Sequence, residues 1–332
     1  MFRRKAMHCA ALTAIMVSIA GAQQASTHTI TQGTLGFVFD GNAGSVRPLW
    51  GIASAANIGD PLNLGGAVNS YAASPQQDYI LALTGPNSQA TLWLRSTSTT
   101  SSISGLPAGA TQVVLSPEGG SALFYYASTN QFHVIGGLPS APAPVFDGSL
   151  SALMNPLSAL AVSDDGALVL AAESAVSGNA APAVVVFGAN GAVGRIALSG
   201  AASAIAFLSN SHDALLSSPS ESVLIRDAAA QTGRIEISST VNGSVGVIAS
   251  TDGTNALFAN GQTGTISIVP LIGGGQPATL NCNCTPTGIV RTSAKSIYRL
   301  SEYSGGPVSL IDASASQPRM LVVPPLVTPD NQ

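Results

Sequence analysis

Hydrophobic positions in this chain alternate with polar ones over runs of four to seven residues, each bounded by Gly, Asn, Asp, Ser or Pro. Period-two alternation between turn residues is the mark of short β-strands. Residues 159–200 show it most plainly, in ALAV, ALVLAAE, AVVVFG and GRIALS. Four such strands in a row predict one antiparallel sheet, and such a sheet cannot bury both its faces alone.

The same unit recurs along the chain. A tight turn follows its first strand and reads SPQQDYIL from Ser74, SPEGGSALF from Ser116 and SDDGALVL from Ser163. It returns as SNSHDALL from Ser209, STDGTNALF from Ser250 and TSAKSIYRL from Thr292, with successive spacings of 42, 47, 46, 41 and 42 residues. Spacings of about 40–45 residues suit four-stranded propeller blades. The expected fold is therefore all-β, a β-propeller of four-stranded antiparallel blades. An open stack would need polar caps, and neither end supplies one.

Six marked units leave some forty residues before them. There LGFVFD (Leu35–Asp40) and SVRPLWGI (Ser45–Ile52) align with second and third strands, and Ser26–Thr31 is a weak first strand. The count is thus seven blades, the first degenerate, its missing edge expected from Met320–Pro325. The alternative is six blades with an amino-terminal strand shared into the last.

Composition removes the other classes. Only 8% of the 332 residues are charged, against 45% hydrophobic. Disorder is excluded by abundant Val, Ile and Leu. No apolar run after residue 22 reaches the ~18 residues of a spanning helix. Residues 1–22 read as a cleaved secretion signal: Arg3, Arg4 and Lys5, then apolar Cys9–Ala20, then Ala20-Gly21-Ala22. Residues 23–332 read as one propeller domain, secreted or periplasmic. Without residues 1–22, nine basic residues face sixteen acidic ones, a formal charge of −7, and Lys295 is the single lysine. Such a chain carries no electrostatic footprint for nucleic acid or anionic lipid.

Two cysteines remain, Cys282 and Cys284. An even count in an exported chain favours a disulfide, with two free thiols as the alternative. A zinc site wants four ligands, and no second Cys or His pair accompanies them.

The segment Leu257–Leu271, LFANGQTGTISIVPL, resembles the YVTN-type propeller repeat, and PVSLIDAS (Pro307–Ser314) and SVLIRDAA (Ser222–Ala229) look like the same strand. The turns SDDGALVLAAES and SPEGGSALFYYAS resemble the Ser-Pro-Asp-Gly turns of WD-like propellers, without the Gly-His and Trp-Asp dipeptides of true WD repeats. The opening FVFDGNAGSVRPLWGI is similar to the starts of exported bacterial propeller proteins. This resemblance implies a fold far more than an activity.

In a propeller the first strand of each blade lines a central channel. Loops between strands two and three, and between strand four and the next strand one, share one face, the usual binding side by fold analogy. Asn130, Glu173, Glu221, Asn260 and Glu302 fall at or near the two–three loops, of which Ala175–Pro182 is the longest. The Pro139–Pro156 link and the Cys282–Cys284 loop are assigned to that side too. Arg291, in TGIVRT, lies on an inner strand pointing into the channel, where pairing with a neighbouring blade's carboxylate is the expected role. The candidate binding residues are thus Asn130, Glu173, Asn260, Arg291 and Glu302, each also explicable as a turn or structural residue.

Catalytic sets do not assemble. His28, His133 and His212 fall in different places, G-x-S-x-G is missing, and no phosphate-binding Gly-Lys motif occurs. The Asp164-Asp165-Gly166 and Thr251-Asp252-Gly253 turns lack the ligand series of a calcium loop. Trp50 and Trp93 lie on third strands, placed to pack between blades. The expectation is a binding or protein-interaction scaffold with no cofactor and no metal, its partner an unidentified protein, small molecule or glycan. Its rivals are a lactonase- or lyase-type propeller enzyme using Glu173, Glu302 and Arg291, and a structural envelope or matrix protein.

Overall fold

Four of the six predicted turns are built around a first-position serine. The Ser163 hydroxyl accepts the Leu168 N–H at 3.0 Å, and Ser74, Ser116 and Ser250 likewise accept from Tyr79, Ser121 and Asn255. Ser74, Ser116 and Ser163 are buried, so the hydroxyl satisfies a backbone donor that water cannot reach. Gly166 completes its turn at φ +69°, a conformation glycine adopts without a Cβ penalty.

In a computed structural model, residues 33–326 are described apart from 179, 238–240, 242, 273–274 and 315–316. They form seven antiparallel sheets in chain order. Blade one holds Thr34–Asp40, Ser45–Trp50 and Asn57–Ile58; blade two, Val68–Ala73, Tyr79–Thr84, Gln89–Leu94 and Thr99–Ser102. Blade three holds Gln112–Leu115, Ser121–Tyr126, Gln131–Gly136 and Ala143–Ser149; blade four, Leu157–Val162, Val169–Glu173, Ala183–Gly188 and Gly191–Ala197. Blade five holds Ala204–Phe207, Ala214–Ser217, Ser222–Arg226 and Gly233–Glu236; blade six, Gly246–Ala249, Asn255–Asn260, Thr265–Pro270 and Ala278–Asn281. Blade seven holds Val290–Arg291, Ile297–Arg299, Val308–Asp312 and Arg319–Val323. A single 3-10 turn, Leu150–Ala152, is the one helical element among the described residues. No helix there is long and apolar enough to cross a membrane.

Alternation along the strands sends successive side chains to opposite neighbours. Leu170 and Ala172 pack towards blade five, whereas Val169 and Ala171 pack towards blade three. Tyr79, Leu81 and Leu83 face blade three, whereas Ile80 and Ala82 face blade one with Phe37 and Trp93. Trp93 meets Phe37 edge-on, 5.6 Å between centroids, so it fills an interface between blades. Leu35, Val38 and Leu49 of blade one share a core with Ile297, Val308 and Leu310 of blade seven. That shared core closes the ring at seven blades and excludes the six-blade alternative.

Two expectations are corrected. Arg319–Val323 pairs with Val308–Asp312 as the fourth strand of blade seven, so Met320–Pro325 does not complete blade one. Arg319–Val323 keeps its hydrogen bonds within its own blade, and the ring closes through side-chain packing and through bonds from two loops of blade seven to Thr34–Asp40. Pro139–Pro156 is not one link: Ala143–Ser149 inside it is the fourth strand of blade three. Pro139 therefore belongs to the three–four connection on the opposite face. The signal sequence and Ser26–Thr31 lie outside the described residues.

The inner edge of Thr34–Asp40 is met by blade seven. Ser293 N–H donates to Leu35 O at 2.8 Å, Tyr303 N–H donates to Phe39 O at 2.9 Å, and Glu302 Oε2 accepts the Phe39 N–H at 2.6 Å. Two loops of blade seven thus satisfy groups that an innermost strand would pair.

Candidate functional site

The innermost strands surround an axial cavity of about 340 Å³. Its wall is mostly apolar, with Val113, Leu115, Leu160, Ile205, Val247 and Ile289 contributed by blades three to six and the approach to blade seven. Polar side chains gather at its two ends.

Arg291 ends the innermost strand of blade seven, so its side chain emerges at the face of the one–two turns. Only 7% of it is exposed. Nη1 donates to Pro117 O at 3.1 Å and to Glu118 Oε1 at 3.0 Å, in the turn of blade three. Nη2 donates to Ser209 Oγ and to Ala249 O, both at 3.1 Å, in blades five and six. Its own carbonyl accepts from Gln77 Nε2 of blade two at 3.0 Å. Arg291 thereby reaches across the axis and closes this end. The Glu118 amide donates to Asp164 Oδ1, and Asp164 Oδ2 accepts from the Asn210 amide, both at 2.7 Å, linking the turns of blades three, four and five.

Glu302 stands at the other end, in the two–three loop of blade seven, with 37% of its side chain exposed. It pairs with Arg299 at 2.7 Å and accepts from the Tyr71 hydroxyl at 3.0–3.1 Å. Arg299 Nη2 donates to the Tyr71 oxygen at 3.0 Å, and Nη1 donates to Ser301 O at 2.8 Å. Burial raises the Tyr71 pKa, and the Glu302 charge adds to it against the opposing pull of Arg299. Burial works to lower the Arg299 pKa, but Glu302 and Tyr71 overcome it and raise it. The phenol stays protonated and the guanidinium charged across the neutral range. The rim is a fixed-charge cluster bridging blades two and seven over blade one.

The other candidates hold loops. Asn130 sits at φ +54° in its turn and its Oδ1 accepts from Tyr125 at 3.1 Å. Asn260 Oδ1 accepts the amides of Gln262 and Thr263 at 2.9 and 3.0 Å. Glu173 is fully buried. Its Oε1 accepts from Met154 N at 2.7 Å; Oε2 accepts from Arg195 at 2.7 Å, Ala183 N at 3.1 Å and Asn155 at 3.3 Å. Burial pushes its pKa up, yet the Met154 amide and Arg195 outweigh it and lower it. Glu221 binds the Ser199 hydroxyl at 2.8 Å and pairs with Arg234. Cys282 and Cys284 are joined as a disulfide in the loop from blade six to blade seven.

Of the five candidate binding residues, Arg291 and Glu302 line the cavity, at opposite ends, and the other three do not. Arg291 pairs with a carboxylate as expected, but of blade three, across the ring. Arg299, Tyr71 and Glu118 were not singled out from sequence. One signal was present for Arg299: a cation in IYRL, where no other second strand carries one. Among the described residues no three His, Cys, Asp or Glu side chains converge into a metal-binding group. The arrangement suits holding a molecule with an apolar body.

No family model matches the chain, and no curated protein sequence matches it. Solved structures do share its fold. Hydrazine synthase from Kuenenia stuttgartiensis superposes with a TM-score of 0.58 at 10% identity, over 88% of this chain and 99% of that one. The WD40 repeats of RRP9 superpose at 0.56 with 10% identity, over 78% of this chain and 81% of that one. U3-55K gives 0.54 at 10% identity, over 77% and 81%. At these identities the likeness concerns the propeller fold alone.

Proposed function

We propose that the protein is an exported propeller, secreted or periplasmic, that acts as a binding scaffold and holds its ligand in the axial cavity. The observation that carries this is the cavity itself, apolar along its wall, closed at one end by Arg291 and bordered at the other by half-exposed Glu302. Apolar concavities with a few placed polar groups are the usual form of small-molecule sites. Export is supported by the basic, apolar and small-residue pattern of residues 3–22. Binding without conversion is supported by Arg299 and Tyr71, whose charge states are fixed at neutral pH.

A thermal-shift screen of a small-molecule library tests the reading, because a ligand bound only by the native state raises Tm with concentration. Ile205→Trp, which fills the cavity from its wall, is the control. Expected are saturable shifts that Ile205→Trp removes, with the ligand recovered unchanged by mass spectrometry. Turnover of a hit that Ile205→Trp abolishes would replace the scaffold with the enzyme.

A further inference from the structure

A disulfide and a fold support each other equally. Whatever the bond adds to the stability of the native chain, the native chain adds to the bond's resistance to reduction. Cys282 and Cys284 are separated by 2 in sequence, and so small a loop gives the bond little to add. The fold therefore protects this bond weakly, and weakly protected bonds are the labile ones, unlike structural disulfides that resist thiols.

The two sulfurs also stand in unlike surroundings. Cys282 is only 8% exposed and packs with Leu257, Ala259 and Ile266 of blade six, whereas Cys284 is half-buried at the border of that core. The loop is held by its backbone: Cys282 N–H donates to Gly264 O at 2.8 Å, and Asn281 Oδ1 accepts the Asn283 N–H at 3.0 Å. Asn283 sits at φ +48°, a left-handed conformation that Asn reaches more easily than most residues. The next amide turns back, and Cys284 N–H donates to Cys282 Sγ at 3.1 Å. Cys284 O lies 3.1 Å from the same sulfur. Cys282 Sγ thus has a donor ready for a thiolate and an acceptor ready for a thiol. Burial disfavours a thiolate there, and the amide offsets that cost. No Asp or Glu occurs in the chain between Asp252 and Glu302 to add a like charge from its own loop.

We propose that the Cys282–Cys284 bond is an exchange site for small thiols, with Cys284 Sγ the atom attacked and Cys282 Sγ the leaving group. The thiolate of a small thiol bonds to Cys284 Sγ as the Sγ–Sγ bond breaks. The electron pair stays on Cys282 Sγ, which accepts the Cys284 N–H and then takes a proton from water. A second thiolate attacks the small-molecule sulfur of the mixed disulfide and releases Cys284, which is protonated in turn. Two small thiols are oxidised to one disulfide, and the protein disulfide is reduced to two thiols. The site is independent of the axial cavity.

Reduced glutathione is the probe. It opens the bond in the native full chain and in the same chain unfolded in urea; acid quenching, alkylation and mass spectrometry count the thiols, and circular dichroism confirms the native fold. The native rate is expected to equal or exceed the unfolded one. A native rate more than about tenfold lower would overturn the exchange site, because the fold would then be shielding the bond.

Cys282→Ser and Cys284→Ser each leave one thiol, whose reaction with dipyridyl disulfide is timed by absorbance. The sulfur that meets a small thiol in one direction meets a small disulfide in the other. The Cys284 thiol is expected to react at least about tenfold faster than the Cys282 thiol, as the more accessible of the two. A smaller ratio, or a faster Cys282, would overturn the assignment of the attacked sulfur. If either variant does not fold, the mixed disulfide in the glutathione-treated native chain is mapped by mass spectrometry: glutathione on Cys284 supports the assignment and glutathione on Cys282 overturns it.

Discussion

The guanidinium of Arg291 in blade seven donates to the carboxylate of Glu118 in blade three, 3.0 Å away and 173 residues distant in the chain. Their blades are not neighbours in the ring, so the pair spans the axis and does not reinforce an interface. It is joined by bonds to blades five and six, which makes one side chain a hub for the closed end of the cavity.

Arg291→Ala should therefore destabilise the whole ring. Removing one partner of a largely buried pair costs about 3–5 kcal/mol. Glu118 is a third exposed, which lets water recover part of its hydration, so about 2–4 kcal/mol is expected. Urea unfolding measures it, and a loss below about 1 kcal/mol would show that the hub contributes little.

At the other end, Glu302→Ala should cost about 2–4 kcal/mol, since it strands the Arg299 cation, which is only 6% exposed, away from a counter-charge. It also frees the Phe39 amide. Tyr71→Phe removes hydrogen bonds but no charge and should cost about 1 kcal/mol. The two losses should not add, because both residues belong to one cluster. Calorimetry of the single and double variants checks the sum.

Acid should unfold the protein partly through Glu173. Its folded pKa lies below the ordinary 4.5, so on acidification the unfolded chain takes up the proton first. The stabilisation is full above about pH 4.5 and is lost as pH falls through the lowered value. Asp40, Glu221 and Asp312 are lowered too and act in the same direction. A Tm profile from neutral to acid pH should fall below that point. Glu173→Gln should start less stable and fall less steeply; an unchanged slope would remove Glu173 from the account.

Reduction of Cys282–Cys284 should matter little. The bond joins residues separated by 2 in sequence, and so small a loop restricts the unfolded chain by only about 1.5 kcal/mol, against ~3–5 for long loops. Thermal melts with and without reductant should differ slightly. A large drop would mean that the bond holds the loop between blades six and seven by some other route.

Much of the fold was legible because its signals are local. Ser74, Ser116 and Ser163 mark their turns through hydroxyls that bond five residues ahead. The alternation of Val169, Leu170, Ala171 and Ala172 divides directly into two neighbouring cores. Trp93 packs between blades, as an aromatic on a half-polar third strand should. Blade one was harder, because its inner edge is satisfied by Ser293, Glu302 and Tyr303, more than 250 residues away. Nothing near Leu35 or Phe39 announces such partners.

Candidate residues in loops show the same limit. Asn130 lies between a second and a third strand, and Glu173 and Asn260 end their second strands, at or near the expected loops, yet that position left open whether each would meet ligand or backbone. Glu173 meets four protein donors and is spent on holding its loop.

The sequence by itself determined the repeat, the antiparallel strands, their turns and the side chains shared between adjacent blades. Each of these follows from period, spacing and the chemistry of a few consecutive residues. Tertiary structure settled the seven blades counted from the sequence over the six-blade alternative, and it alone decided how the ring closes and which polar groups stand at the ends of the cavity. Those depend on contacts between side chains far apart in the chain, and only closure of the ring brings Arg291 to Glu118 and Glu302 to Phe39.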